Sequence, residues 1–120
     1  MELNPDCLRD ILSEIAKLPM GNFLNTLPKE ITDKYSEDDI EYTIQIIEEE
    51  ELAHVSLNWG NNVLARYSLG QVTLSGQQLY SKIKSDTVWN KVKDKIRSIG
   101  SAFSVELIKI AAGNIINGML

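Results

Sequence analysis

The stretch from Ser36 to Val55, SEDDIEYTIQIIEEEELAHV, constrains the fold more than any other part of the chain. Ile40, Ile44 and Ile47 recur at the spacing of one buried face of an α-helix. From Leu52 onward apolar and polar residues alternate, which is typical of a β-strand with one buried face. The sequence therefore predicts a helix, capped by Ser36, that runs almost directly into a strand.

The residues before this stretch predict one clear helix and one weakly patterned segment. Asn4 as N-cap and Pro5 as the first helical residue begin a helix over residues 5–18. Residues 19–35 carry a turn signal and few periodic apolar positions. Within them we expect a short strand near Phe23, Leu24 and Leu27, and one helical turn after Pro28.

The residues after the first strand predict the second half of a hairpin and then three helices. We expect a turn over residues 59–62 and two strand pieces, 63–67 and 71–74, on either side of Gly70. Helix starts are predicted at Ser75, at Ser85 or Asp86, and at Ser104. The second of these helices ends at Gly100, and the last is apolar nearly all round up to Leu120.

A helix that feeds a β-hairpin, which in turn leads into a helix, is winged-helix topology. The chain has 120 residues, the size of one domain. We therefore expect an α+β, mostly helical fold: a winged-helix core over residues 1–85 with a small hairpin wing, and two extra C-terminal helices over residues 86–120. This extension either packs as part of one domain or serves as a dimerisation element.

Three motifs resemble known proteins. SEDDIEYTIQIIEEEELAHV is similar to the helix-then-strand signature that enters the wing of winged-helix regulators, and VTLSGQQLY resembles the stretch that leaves it. With WNKVK, residues 89–93, most of residues 1–110 resembles a family of small prophage proteins from Gram-positive bacteria. The resemblance implies a winged-helix core with a C-terminal helical extension and a phage-like context, and it indicates no particular activity.

Two departures from the winged-helix pattern are visible. Glu51 stands where the pattern usually has a glycine, which would favour a left-handed helix end. The segment before Ser36 is also too weakly patterned to be a clear first helix of a helix-turn-helix, the pairing that normally sets a recognition helix on DNA.

The charge of the central helix argues against reading of DNA by that helix. Of the sixteen residues from Ser36 to Glu51, eight are acidic and none is basic, whereas duplex binding depends on Lys and Arg near the phosphates. Residues 1–58 carry a net charge of −10 and residues 59–120 a net charge of +5. We therefore expect contacts to double-stranded DNA, and a role in transcription regulation, from the wing and the basic helix: Asn61, Asn62, Arg66, Lys82, Lys84, Lys91, Lys93, Lys95 and Arg97. The alternative is that these lysines form an ordinary solvated face.

The acidic helix suggests a different use. Its outward side would bind a basic host protein, as an effector that inhibits a nucleic-acid-binding or defence protein, with acids for steering and Tyr42 and Ile46 for apolar contact. We call this predicted partner surface the acidic face: Asp38, Glu41, Tyr42, Gln45, Ile46 and Glu49. The alternative is a solvated helix whose Tyr42 or Ile46 packs under residues 19–35.

The last helix predicts a homodimer, because its apolar surface exceeds what one small core needs. The residues expected at that interface are Ile108, Ala112, Ile115, Ile116 and Met119. The alternative is that the helix folds back over the chain's own core.

The sequence predicts no enzyme, cofactor or metal site. No nucleophile–base pair or phosphate loop is present, and His54 and Cys7 do not have zinc-ligand spacing. Cys7 lies early in a helix, a position that can lower a thiol pKa, but it has no partner base. A single cysteine, the absence of a signal peptide and the absence of a long apolar run predict a cytoplasmic protein that does not enter the membrane.

Overall fold

Six helices and one two-stranded antiparallel sheet follow one another in the computed structural model, which describes residues 1–119. Their bounds are α1 Pro5–Ala16, α2 Lys29–Thr32, α3 Glu37–Glu49, β1 Ala53–Gly60, β2 Val63–Val72, α4 Leu74–Ile83, α5 Asp86–Ser98 and α6 Val105–Met119. The predicted α+β, mostly helical class is confirmed. Leu120, predicted to end the last helix, lies outside the described residues.

Helix α1 forms as its cap and apolar spacing predict. The side chain of Asn4 accepts a hydrogen bond from the Cys7 backbone N–H, with an N···O distance of 3.2 Å. Leu8 and Ile11 are among the residues that bury one face of the helix completely. The helix ends at Ala16, two residues earlier than predicted.

Two interactions hold the weakly patterned segment, residues 19–35, against the rest of the fold. Leu24 pairs with Leu69 of β2 through two backbone hydrogen bonds of 2.8 and 2.9 Å. The predicted short strand is thus reduced to a single bridging residue. The predicted turn after Pro28 forms as the four-residue helix α2, which buries Ile31.

The junction between α3 and β1 is a tight left-handed helix end. Glu51 has a φ of +54°, so it occupies the conformation that favours glycine. The Leu52 N–H donates to the Ile47 carbonyl over 2.9 Å and the Glu51 N–H donates to the Glu48 carbonyl over 3.1 Å. Leu52 and Ile47 are both fully buried. The helix therefore ends as a glycine-type end would, with a glutamate at the strained position.

The hairpin is longer and more continuous than the sequence predicted. Trp59 and Gly60 belong to β1, and the turn consists of Asn61 and Asn62 alone, with φ values of +53° and +66°. Asparagine tolerates the left-handed conformation that this two-residue turn requires. Gly70 does not interrupt β2, because a register shift opposite His54 absorbs the extra residue.

The N-cap of helix α4 lies two residues before the predicted cap. Thr73, rather than Ser75, is its N-cap, and the Thr73 hydroxyl accepts from the Gly76 N–H over 3.1 Å. The start of α4 packs directly on the end of α3: an added Cβ on Gly76 would overlap the Leu52 carbonyl oxygen. This close approach makes glycine necessary at position 76.

The C-terminal helices share their core with the N-terminal ones. Ser85 caps α5, Gly100 follows its end with a φ of +70°, and Ser104 accepts a hydrogen bond from the Leu107 N–H. Trp89 of α5 is 1% exposed and its ring nitrogen donates to Asp6 of α1 over 2.8 Å. One continuous hydrophobic cluster runs from Leu3 to Ala112. The winged-helix assignment remains an interpretation of the element order.

Candidate functional site

The six residues of the acidic face lie together on the solvent side of α3. The opposite side of the helix is buried through Ile40, Thr43, Ile44 and Ile47. Asp38 and Glu49 at the two ends of the acidic face are exposed, and its other four members are half-buried. Its apolar members therefore remain reachable from solvent.

The acids of α3 and of its C-terminal end have no basic partners. Within residues 1–119 the ion pairs are Arg9–Asp86, Lys17–Glu14, Lys34–Asp10 and Lys93–Asp6. None of them includes any of the eight carboxylates from Glu37 to Glu51. Asp39 accepts a hydrogen bond from the Asn4 amide, which is neutral. Negative charge is thus concentrated near the two ends of the helix, at residues 37–41 and 48–51.

The predicted basic surface is divided over two sides of α5. At about 100° per residue, Lys91 and Lys95 fall on one flank of the buried stripe. Lys93 and Arg97 fall on the other flank. Lys93 is paired with Asp6 over 2.9 Å and its side chain is only 15% exposed. The Arg97 guanidinium lies over the ring of Phe103, 5.7 Å from its centroid.

The remaining predicted DNA contacts are exposed but spread out. Lys82 and Lys84 lie at the end of α4, and Asn61 and Asn62 lie at the hairpin tip. Arg66 pairs with Asn58 across the hairpin. These groups therefore lie on different elements from the exposed lysines of α5.

The hairpin carries a polar outer side that the sequence analysis did not single out. Cross-strand pairing places Ser56 beside Ser68 and Asn58 beside Arg66. Two open grooves of about 540 and 470 Å³ run over this side and share both serines. We call the larger one the hairpin groove; its lining includes Phe23, Glu48, Glu51, His54, Ser56 and Ser68. The alternation of His54, Ser56 and Asn58 in the sequence is the signal that points to it.

The predicted dimer residues of α6 are divided between core and surface. Ile108 and Ala112 are fully buried against the chain's own helices, so in this fold they are not available to a second copy. Ile115 and Ile116 are half-buried, and Met119 is 50% exposed. The alternative, that the helix folds back on its own core, holds for the first two residues.

The groups with shifted pKa values, Cys7, Tyr35 and Asp6, lie in packing contacts of the fold. Burial, above all, raises the pKa of the Cys7 thiol to about 11, against the lowering that its place early in a helix suggested. Burial and a 2.6 Å hydrogen bond to Asp10 raise the pKa of Tyr35. Burial also acts to raise the pKa of Asp6, but the hydrogen bonds from Trp89 and Lys93 outweigh it, and the pKa is lowered.

Residues 1–119 contain neither a metal-binding cluster nor a membrane-spanning helix. No group of three or more His, Cys, Asp or Glu side chains there is arranged to hold a metal ion. No helix in that range combines the length and apolar character needed to cross a lipid bilayer.

Comparison with known proteins shows the family. The chain belongs to the family of hypothetical proteins described as DUF2513, which matches residues 2–102. It is also 30% identical, over 124 aligned positions, to an uncharacterized protein of Haemophilus influenzae; the alignment covers all of this chain and 99% of that relative. No solved structure matches the chain significantly. The family resemblance is thus confirmed at this level, and the prophage and Gram-positive origins remain predictions.

Proposed function

We propose that this protein is a non-enzymatic binding protein whose acidic face docks on a basic surface of another protein. The observation that carries the proposal is that the three carboxylates of the acidic face, Asp38, Glu41 and Glu49, share one side of α3 with Tyr42 and Ile46 and are paired with no Lys or Arg of residues 1–119. Glu49 lies at the C-terminal end of α3, where the helix dipole disfavours a negative charge unless something offsets it.

The chemistry of the face fits a protein partner. Unpaired carboxylates attract a basic surface over about 8–10 Å at physiological ionic strength and speed up the encounter. Tyr42 supplies the kind of apolar contact with a polar tip that is common at interface centres. A basic nucleic-acid-binding channel is one surface of this kind, and an inhibitor of such a host protein is the form of effector we favour.

The test is differential capture from a cell lysate with matched variants. Asp38→Ala, Tyr42→Ala and Glu49→Ala remove the exposed acids and the apolar contact without touching the buried side of α3. Glu2→Ala and Glu106→Ala form the control, because these two acids are exposed and lie outside the acidic face. A partner retained by wild type and control but lost from the triple variant is expected. Equal capture by all three proteins contradicts the proposal.

The Cys7 thiol has no part in the proposed function. A thiol with a pKa of about 11 is protonated at neutral pH, and the Cys7 side chain is fully buried. The thiol is thus neither ionised nor accessible as a nucleophile. A cytoplasmic location remains a prediction of the proposal.

A second candidate function is binding of double-stranded DNA by the wing and the basic helix, as in transcription regulators. It is favoured by the exposure of Asn61, Asn62 and Arg66 on the hairpin, and of Lys91 and Lys95 on α5. Anisotropy of a labelled mixed-sequence duplex, titrated across salt, is the test. Binding that weakens steeply with salt, and that Lys91→Glu with Lys95→Glu removes, supports this candidate; no binding at low salt refutes it.

We further propose that the chain is a winged-helix protein of phage type. The winged-helix assignment is supported by the order α3, β1, β2, α4 and by the hairpin turn at Asn61 and Asn62. The phage-type assignment rests on the resemblance of residues 89–93 and neighbouring motifs. Genes beside those of family members are the check: phage structural or regulatory genes are expected there.

A further inference from the structure

One edge of the hairpin has backbone groups without partners. The N–H and C=O of Leu69 are both bonded to Leu24, and so point away from β1. Along each strand of an antiparallel ladder, the backbone groups point alternately toward the partner strand and away from it. When the groups of one residue point away from the partner strand, those of the directly opposed residue also point away. Val55 is opposite Leu69 and Leu57 is opposite Tyr67. The backbone groups of Val55 and Leu57 therefore point away from β2, toward the free edge of β1.

The free edge continues to the end of the strand. The register shift near the tip places the extra residue, Ala65, in β2, so β1 keeps its alternation and Trp59 also points its N–H outward. Among residues 1–119, no hydrogen-bond partner lies on the outward groups of Val55, Leu57 or Trp59. None of the three is fully buried.

Nothing in β1 blunts this edge. Exposed edges are usually protected by Lys, Pro or a bulge in the edge strand itself. The sequence of β1, AHVSLNWG, contains no Lys, Arg, Pro, Asp or Glu, and its bulges lie in the partner strand. The edge is therefore open to pairing with another extended chain.

The side chains beside the edge define what would pair with it. Leu57 and Trp59 project to one side of the strand, and His54, Ser56 and Asn58 to the other. On that second side lies the hairpin groove, to which Phe23 contributes an aromatic ring that is 62% exposed. Glu48 and Glu51 contribute carboxylates that form no ion pair within residues 1–119. A Lys or Arg side chain entering this groove meets both opposite charge and an aromatic face.

We propose that the β1 edge binds an extended basic segment of a partner protein by strand addition. In that segment apolar residues, opposite Leu57 and Trp59, alternate with Lys or Arg residues that reach toward Glu48 and Glu51. The inference rests on the proposed function, because it takes from it that the partner is a protein with basic residues. It adds the conformation of the bound segment and a site separate from the acidic face.

The first experiment measures amide hydrogen exchange at the β1 edge in the full chain. In the free protein the Val55 and Leu57 amides exchange faster than those of Ser56 and Asn58, which face β2. A capped short peptide of alternating Val and Lys is then added. Protection of Val55 and Leu57 is expected on binding, and binding without that protection overturns the proposal.

Backbone methylation of the peptide separates strand pairing from simple charge attraction. Valines that lie opposite Leu57 and Trp59 turn their own N–H groups to β1. N-methylation of the Val amides should weaken binding at least about tenfold, because several hydrogen bonds are lost. N-methylation of the Lys amides, which point away, should leave affinity within about threefold. Equal effects of the two peptides overturn the proposal.

Matched variants of the protein test the same pairing by changing β1 and not the peptide. Trp59→Pro removes an outward N–H without removing a ladder bond, and Trp59→Val keeps the N–H while removing the ring. Peptide binding should be clearly weaker for the proline variant than for the valine variant. Glu48→Gln with Glu51→Gln should weaken the Val-Lys peptide, and a Val-Glu peptide should not bind wild type. A proline variant that binds like the valine variant overturns the proposal.

The outcome is distinguishable from failure of the proposed function. Asp38→Ala with Tyr42→Ala should leave peptide binding unchanged, so loss of the partner in capture and loss of the peptide are independent readouts. A second copy of this chain is the other candidate for pairing with the edge, and sedimentation of the free protein shows whether such a dimer forms. If the Val55 and Leu57 amides become protected as the protein itself is concentrated, a second copy occupies the edge, and the basic partner segment is the wrong assignment.

Discussion

Replacing Gly76 with alanine tests the packing on which the central junction depends. Gly76 is buried in the first turn of α4, directly against the end of the α3–β1 junction. The methyl carbon of an alanine there would overlap the Leu52 carbonyl oxygen and lie 2.8 Å from its carbonyl carbon. Both are backbone atoms, so no side-chain rotation relieves the overlap.

The cost follows from the contacts that must separate. Overpacking in a core typically costs about 1–3 kcal/mol. Moving α4 away also stretches the 3.0 Å hydrogen bond from the Thr73 N–H to the Leu52 carbonyl, worth about 1 kcal/mol. We expect Gly76→Ala to lower the free energy of unfolding by about 3 kcal/mol or more, a large share of the ~5–15 kcal/mol typical of a domain.

Urea denaturation followed by tryptophan fluorescence measures this difference. Gly113→Ala is the matched control: Gly113 is also helical, but an added Cβ there meets nothing within 4 Å. Higher helix propensity should stabilise that variant by about 0.5–1 kcal/mol. If Gly76→Ala unfolds at the same urea concentration as wild type, the start of α4 does not lie against Leu52 and the described junction is wrong.

Three further changes test the helix end, the α1–α5 contact and the buried thiol. Glu51→Gly should stabilise the protein by about 1 kcal/mol in urea titration, because the residue is left-handed. Glu49→Gly, in the last turn of α3, should destabilise it by up to about 1 kcal/mol. Loss of stability in both variants contradicts the left-handed assignment. The pKa of Asp6 is lowered in the fold, so its stabilisation is present above its ordinary value of 3.8 and is lost as pH falls through the folded pKa. Asp6→Asn should therefore be less stable than wild type at pH 7, and the gap in urea midpoints should close in acid; a gap that is constant with pH opposes the Lys93 pairing. With a pKa of about 11 and no exposure, Cys7 should resist a thiol reagent at pH 8 in the native state and react at the rate of unfolding; immediate labelling contradicts its burial.

Local signals were sufficient where cap, periodicity and terminator agree. The starts of α1, α3 and α5 follow from Asn4, Ser36 and Ser85, since each side chain accepts a hydrogen bond from a nearby backbone N–H. These interactions span three residues, so they are visible in sequence. The predicted cap at Ser75 was wrong because Thr73 serves the same chemistry two residues earlier.

The residues of the acidic face could be predicted from the sequence, but whether the basic residues lie together could not. The acidic face follows from helical geometry, since six positions of one helix share a side whatever the rest of the chain does. The basic set draws on three elements, and helix packing divides it: Lys93 turns to Asp6 and Arg97 to Phe103.

The sequence by itself determined the order and kind of elements, because capping, helical periodicity and strand alternation act between residues a few positions apart. The tertiary structure alone decided which groups meet. The pairing of Leu24 with Leu69 sets the direction of the free β1 edge, and the approach of α4 to Leu52 requires Gly76. The register shift at Ala65 places Arg66 beside Asn58. Such contacts join residues distant in sequence, so they depend on how whole elements pack and not on any local pattern.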